Sequence, residues 1–543
     1  MTPGSPLYLM SVVAMTCAVA LAVAGCDTAQ PGIYTMANAP DTPALADLPL
    51  TDTVVQHGIT WTFDKNVPVG QFVNGDWYVV GPVTVTAIAP APLFGKDVPA
   101  DTIDETERKE FGGGNPRLSE KERDALKAKP RYCRNGSVLN IPPVMNASGF
   151  DSRLRHGIYD PDLTARLPIA MKPGDALVST ISKGKIRRSK HYSTTQVVAV
   201  LTCLGAPAPA DAFRPGYCDP TKQVYLARNL RRDRLPKLAK VADMPKVEDL
   251  AKRFERPWLA TTTFHEDHAP YQIGGYCQGL ALKGGQAALL LCLDMPAAEK
   301  EPLLQAFVQM GLDYWGIVRS GHPGWQAWGG WNSGHKLPIV FAGYILGEDE
   351  MANVSKTYPK TSFQEDEQTA YGKSWTGAPV VFTGHSAIEA STGKGRIRGG
   401  KDWGPYEHKH PKDWHDRNHQ SEAYRRCCTS RAWVGEALAV RILGLEKAWG
   451  HDAFLDYVDR WVTDVATDAK AVVTVAEAAK AKGEAYKGYA GVVGEWGRQG
   501  AIQDEFAAAM WKAYRATLKP GPEAWRDKAP VEPPKGLPSA KAQ

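Results

Sequence analysis

The 543-residue chain contains no Cys-x-x-Cys pair, so the ligand spacing of a zinc ribbon is missing. It has no Gly-x-Ser-x-Gly elbow; "GHSA" around Ser386 does not complete one, and a hydrolase-type serine nucleophile has little support. No Walker loop or dinucleotide-binding glycine motif stands between a strand and a helix, and "FGGGNP" at 111–116 lies in a charged loop. No period of 20–50 residues marks a solenoid. Charge of one sign is scarce as well: the net value is +5, too small to argue for nucleic acid as a partner.

What is present begins at the N-terminus. "LYLMSVVAMTCAVALAVAGC" is a short apolar run ending in small residues before Cys26, as in an export signal. The ending "VAGC" resembles the bacterial lipoprotein box, which implies removal of the leader, lipidation at Cys26 and a membrane anchor in the bacterial cell envelope, on the periplasmic face or the outer membrane. Residues 27–50 are rich in Ala, Pro, Thr and Asp and read as a flexible tether. Seven cysteines then remain for an oxidising compartment. Cys203 with Cys218 and Cys277 with Cys292 are the local pairs expected, and the adjacent Cys427 and Cys428 could form a vicinal one.

The chain changes texture near residue 240. Over 51–240, β-branched and aromatic runs such as "GITWTFD", "GDALVSTIS" and "TTQVVAVLTCL" alternate with turn residues, which predicts a β-sandwich-like domain with long loops. Over 245–520, segments at 246–259, 296–321, 335–347, 421–450, 451–465 and 504–518 have helical length and periodicity. A Gly-, Trp- and His-rich excursion at 355–415 interrupts them, and residues 521–543 read as a disordered tail. The fold class expected is α+β, multidomain. Sixteen Trp and twenty Tyr suit either a large core or the stacking of sugar rings.

This order resembles carbohydrate-active enzymes that join a β-sandwich to an α/α toroid. "GWNSGHKLPIVFAGYILGEDEM" looks like the segments that open helices in toroidal polysaccharide lyases, and the resemblance covers 245–520. It implies an anionic (uronate) polysaccharide substrate cleaved by β-elimination. Asn332 would neutralise the carboxylate, and His335 or Tyr371 would act as base or acid. Trp331 and Trp403 would stack on sugars; Tyr406, His415 and Arg425 would hold the substrate. Arg425 and Arg426 are adjacent on a helix, so only one is expected to face the site. N-capping for Asn332 and a structural role for His335 are the simpler readings.

Two alternatives stand beside this. A glycoside hydrolase of the same architecture would use Glu365 or Glu367 with Glu407 as acid and base. A surface lipoprotein that only binds glycan would need the aromatics alone. No cofactor is expected. His408, His410, His415 and His419 form a dense histidine group that could hold a metal ion, although their spacing matches no standard ligand set.

Overall fold

A computed structural model describes residues 32–97, 133–144, 147–154, 158–184, 193–262, 269, 271, 278–327, 329–383, 407, 410–411, 422–484 and 500–528. The leader and Cys26 therefore lie outside the described residues. Among those residues no helix is long and apolar enough to cross a membrane.

The first half is one curled sheet. Its strands are β1 (Leu50–Gln56), β2 (Ile59–Gln71), β3 (Trp77–Val80), β4 (Val83–Ala89), β7 (Ser137–Leu139), β8 (Ile169–Met171), β9 (Ala176–Ser182) and β10 (Thr195–Leu204); β5 (Leu93–Phe94) and β6 (Cys133–Arg134) form a separate short pair. The sheet order is β7-β9-β10-β3-β2-β4-β8, with β1 also on β2. All pairs are antiparallel except β10 with β3. The 13-residue β2 makes the curl possible. Its first part pairs with β1 and β4, and its last residues pair with β3. Where two stacked sheets were expected, one sheet folds over a shared core of Ile59, Trp61, Phe63, Val85, Leu177, Ala199 and Leu201.

Alternation along β9 and β10 settles what the other face does. Leu177, Ala199 and Leu201 point into the curl, whereas Val178, Val198 and Val200 join the core of the helical half. These strands are thus buried on both faces, and the main core runs from Val138 to Trp525 across the textural change near 240.

The helical half contains α1 (Val247–Phe254), α2 (Gly279–Leu291), α3 (Ala297–Arg319), α4 (Lys336–Leu346), α5 (Gln364–Glu367), α6 (Glu422–Cys428), α7 (Val434–Ile442), α8 (Asp452–Ala481) and α9 (Glu505–Tyr514). Helix α2 was not foreseen; its two central glycines and weak amphipathicity hide it. Gly285 is needed because a Cβ there would strike the backbone of Gly435 and Glu436 on α7. The helix expected over 421–450 is interrupted after Cys428, and Ser430 turns back to bond Arg425.

Four further expectations are corrected. Cys203 and Cys218 are free, buried thiols, and so is Cys292, so neither expected local disulfide forms. Burial pushes the Cys203 and Cys292 thiols up to about 12, which keeps them protonated and inert. Cys427 and Cys428 are joined. Residues 32–50 are laid along the fold: Gly32 O accepts from Gln305 Nε2 at 2.9 Å and Tyr34 O from Arg232 Nη1 at 3.1 Å. The tail is packed as far as Trp525, which is buried.

Arg214 joins the two halves. Its Nε donates to Asp76 Oδ2 at 2.5 Å, in the turn before β3, and its Nη2 to Asp313 Oδ2 at 2.7 Å, on α3. All three side chains are buried. Burial disfavours the guanidinium charge, but Asp313 and Asp76 more than offset this and raise its pKa. Removing one partner of such a group strands the others in the interior, at a cost of about 3–5 kcal/mol. Arg214→Ala is therefore expected to lower unfolding free energy by that amount in denaturant titration. A loss below about 1 kcal/mol would mean that Arg214 contributes no more than an exposed ion pair.

Candidate active site

The loop from Trp325 to His335 is held by its neighbour in the sheet. β11 (Gly324–Trp325) pairs in parallel with β12 (Ser362–Phe363), which leads directly into the single turn α5. Gln364 and Glu365 then point back at the loop. Gln364 Nε2 donates to Gly329 O at 2.6 Å and Ser333 Oγ at 3.0 Å, and its Oε1 accepts from Asn332 N at 3.0 Å. Glu365 Oε1 accepts from Gly334 N. These side chains satisfy loop amides that would otherwise be buried without partners, each a loss of about 1–3 kcal/mol. Gly334 has a φ of +99°, and a Cβ there would collide with the backbone of Ala281 on α2. Only glycine suits that place.

Asn332 and His335 are brought together, but both are fully buried. Asn332 Nδ2 is spent on Gln326 O at 2.6 Å. His335 Nδ1 lies 2.9 Å from Asn332 O, so it carries the proton. The ring stacks on Trp325 at 4.5 Å and lies 5.1 Å from Tyr314. Lys336, the first residue of α4, is buried and ion-paired with Asp366. Its ammonium lies 4.5 Å from the Trp449 ring centroid. Burial lowers its pKa, and Asp366 opposes that. A cation at a helix N-terminus is unfavourable by itself, so Asp366 and the ring face are what make it tolerable there.

Tyr371 does not join that group. It lies on β13 (Thr369–Tyr371), which pairs with β14 (Val380–Phe382), and its hydroxyl donates to Asp456 Oδ2 on α8 at 2.6 Å. Burial, then Asp456, raise its pKa, so it stays a phenol and is a poor base. Asp456 in turn meets Arg441, which also meets Asp459.

Glu407 belongs to a third group. Arg425 donates to its Oε1 at 2.5 Å, Arg460 to both oxygens at 3.1 Å, and Phe382 N to Oε2. Asp468 completes this buried cluster. A carboxylate enclosed by two guanidiniums is a structural counter-ion, not an acid–base partner for Glu365 or Glu367. Arg425 and Arg426 both turn inward, over the Trp461 ring at 5.2 and 5.3 Å, correcting the expectation that one would face away. Trp403, Tyr406, His408, His415 and His419 lie outside the described residues; His410 sits edge-on to Trp375. Among the described residues no group of three or more His, Cys, Asp or Glu could hold a metal ion.

The carboxyls of α5 remain. Burial pushes Glu365 up to about 7 and Glu367 up to about 8. Glu365 is fully enclosed, whereas Glu367 and Asp366 are partly exposed. Ala327 N donates to Glu367 Oε2 at 2.7 Å, which fixes this carboxyl beside exposed Gln326. Helix α7 adds Glu436, fully buried, whose pKa burial raises well above the usual carboxylate range, with Glu365 and Asp366 adding to the effect. Sequence reasoning missed Glu436. Glu436 did leave a signal, as the only charge in the apolar run "WVGEALAV". No family, curated protein or solved structure matches the chain.

Glu365 yields a signed prediction. Its folded pKa of about 7 exceeds its unfolded value, so its contribution is complete below the unfolded pKa and is lost as pH rises to about 7. Glu365→Gln keeps an acceptor for Gly334 N and removes the titration. Its stability is expected to fall less than wild type between pH 4.5 and 7 in chelator-containing buffer. Parallel pH profiles would contradict the assignment.

Proposed function

We propose that the protein is an exported, lipid-anchored enzyme that cleaves an anionic polysaccharide, and that Glu367 donates the proton to the departing glycosidic oxygen. The observation that carries this reading is the environment of Glu367: a carboxyl raised to about 8, fixed by a backbone N–H, at a partly exposed edge. A general acid has to hold its proton at working pH and still reach substrate. Glycoside hydrolysis needs such an acid and a second carboxylate. Asp366 is already engaged by Lys336 and Trp449, so the second carboxylate has to come from another element. Trp331, half-buried on the same loop, is the proposed stacking platform for sugar, and the net charge of +5 favours an anionic chain. The curled sheet and helical half correspond in this proposal to the sandwich-like and toroid-like parts of carbohydrate-active enzymes.

β-Elimination is the second reading. The observation in its favour is the His335 tautomer: with Nδ1 protonated against Asn332 O, a neutral ring has its lone pair on Nε2, as a base requires. Full burial of Asn332 and His335 places this reading second, because a uronate would reach them only after the loop moved.

The test is to treat uronate polysaccharides with the soluble protein, following reducing ends and absorbance near 235 nm together. New reducing ends without ultraviolet absorbance are expected. Glu367→Gln should reduce that rate by roughly 10²–10⁴-fold without loss of folding. The wild-type rate should decline as pH rises through about 8, where the acid loses its proton. Absorbance that rises and disappears in His335→Ala would establish elimination instead. Binding with neither product would leave a glycan-capture protein.

A further inference from the structure

Asn332, Glu365 and Glu436 share a property that neither catalytic reading uses. All three are fully buried. Each presents oxygen with no hydrogen-bond partner among the described residues: Asn332 Oδ1, Glu365 Oε2 and both oxygens of Glu436. Asn332 and Glu365 are also steered from their other end. Asn332 is held through Nδ2 by Gln326 O, and Glu365 through Oε1 by Gly334 N.

The fold brings the residues that carry these oxygens to one junction, where the 332–334 loop meets α5 and α7. Trp433 Nε1 donates to Ser333 Oγ at 3.0 Å, which sets the start of α7 against the 332–334 loop. Glu436 is three residues beyond Trp433 and so lies on the same helical face. Glu365 reaches the same loop at Gly334, and its charge raises the pKa of Glu436. Helix α2 closes the junction, touching Gly334 at Ala281 and the backbone of Glu436 at Gly285. Lys336 is the nearby cation, and its ammonium is paired with Asp366.

Buried carboxylate oxygens left without donors are costly. A proton shared directly between Glu365 and Glu436 would form a carboxyl–carboxyl hydrogen bond, yet neither Glu436 oxygen has a partner at that distance. We propose that these three side chains bind a hard divalent cation, with calcium the best match. The donors are all oxygen, which suits calcium and magnesium over softer metals. Calcium accepts irregular sets of carboxylate and amide oxygens, whereas magnesium retains its water and demands an octahedron. The ion would neutralise two acids and tie α5, α7 and the 332–334 loop together. It is a structural ion, enclosed on folding, and the inference does not rest on the proposed hydrolysis; its charge beside Glu365 would draw the Glu367 pKa down, so the Glu367 titration is made in chelator.

The test is metal analysis of the full-length protein after equilibration with calcium and gel filtration, with thermal unfolding in EDTA and in increasing CaCl₂. About one calcium per chain and a calcium-dependent rise in Tm are expected, since a ligand that binds only the folded state stabilises it. Glu436→Gln should lose both the ion and the calcium-dependent rise. Glu365→Gln is the second variant should the first not fold. A wild-type chain with well under one calcium and no Tm response would overturn the proposal. So would variants that bind and respond as wild type does.

Discussion

The grip of Gln364 and Glu365 on the backbone from Gly329 to Gly334 is the interaction on which the candidate site depends. A loop buried under helices needs donors and acceptors for its amides, and these two side chains supply them from a single helical turn. Meeting that need brings a carboxylate into the interior. The consequences spread from there: Glu365 is pushed toward neutrality, Glu436 opposite it further still, and Lys336 is matched by Asp366 and Trp449. Glu367, at the end of the same turn, inherits the low-dielectric surroundings while keeping one side open.

Charge is buried elsewhere in this molecule under the same rule, each charge facing one of opposite sign. Arg214 between Asp76 and Asp313 fastens the sheet to α3. Arg425 and Arg460 enclose Glu407 and Asp468. Arg441 and Arg515 hold Asp459. Such groups specify which elements meet, since each is tolerable only with its partners present. Against that background the junction of α5 and α7 differs. It gathers acids with fewer matching cations, and such imbalance is typical of sites that act on something other than the protein itself.

Much of the fold could be read from the chain. Runs of β-branched and aromatic residues between turn residues located β2, β9 and β10, and helical periodicity located α3, α4 and α9. What failed had physical causes. Helix α2, with Gly284 and Gly285, is buried nearly all round and carries little periodicity. The cysteine spacings suggested disulfides, but Cys203 and Cys218 sit in separate cores, and they and Cys292 pack as small apolar groups. In the site, the segment around Asn332 and His335 was recognised as unusual, and the turn with Glu365 and Glu367 as its companion. Their roles were not legible. The sequence offers no sign that Asn332 and His335 face inward while Glu367 reaches the edge. That follows from the β11–β12 pairing, a contact across 38 residues with two strand residues on each side.

The account stands on Glu367 being protonated at neutral pH. The most direct measurement is a pH titration of glutamate side-chain carboxyls by ¹³C NMR in chelator, with Glu367→Gln to assign the resonance. A carboxyl with a midpoint near 8 that vanishes in the variant is the predicted result. If the resonance lost in Glu367→Gln titrates in the ordinary glutamate range of about 4–5, Glu367 is an ionised surface carboxylate and the proposed acid is wrong.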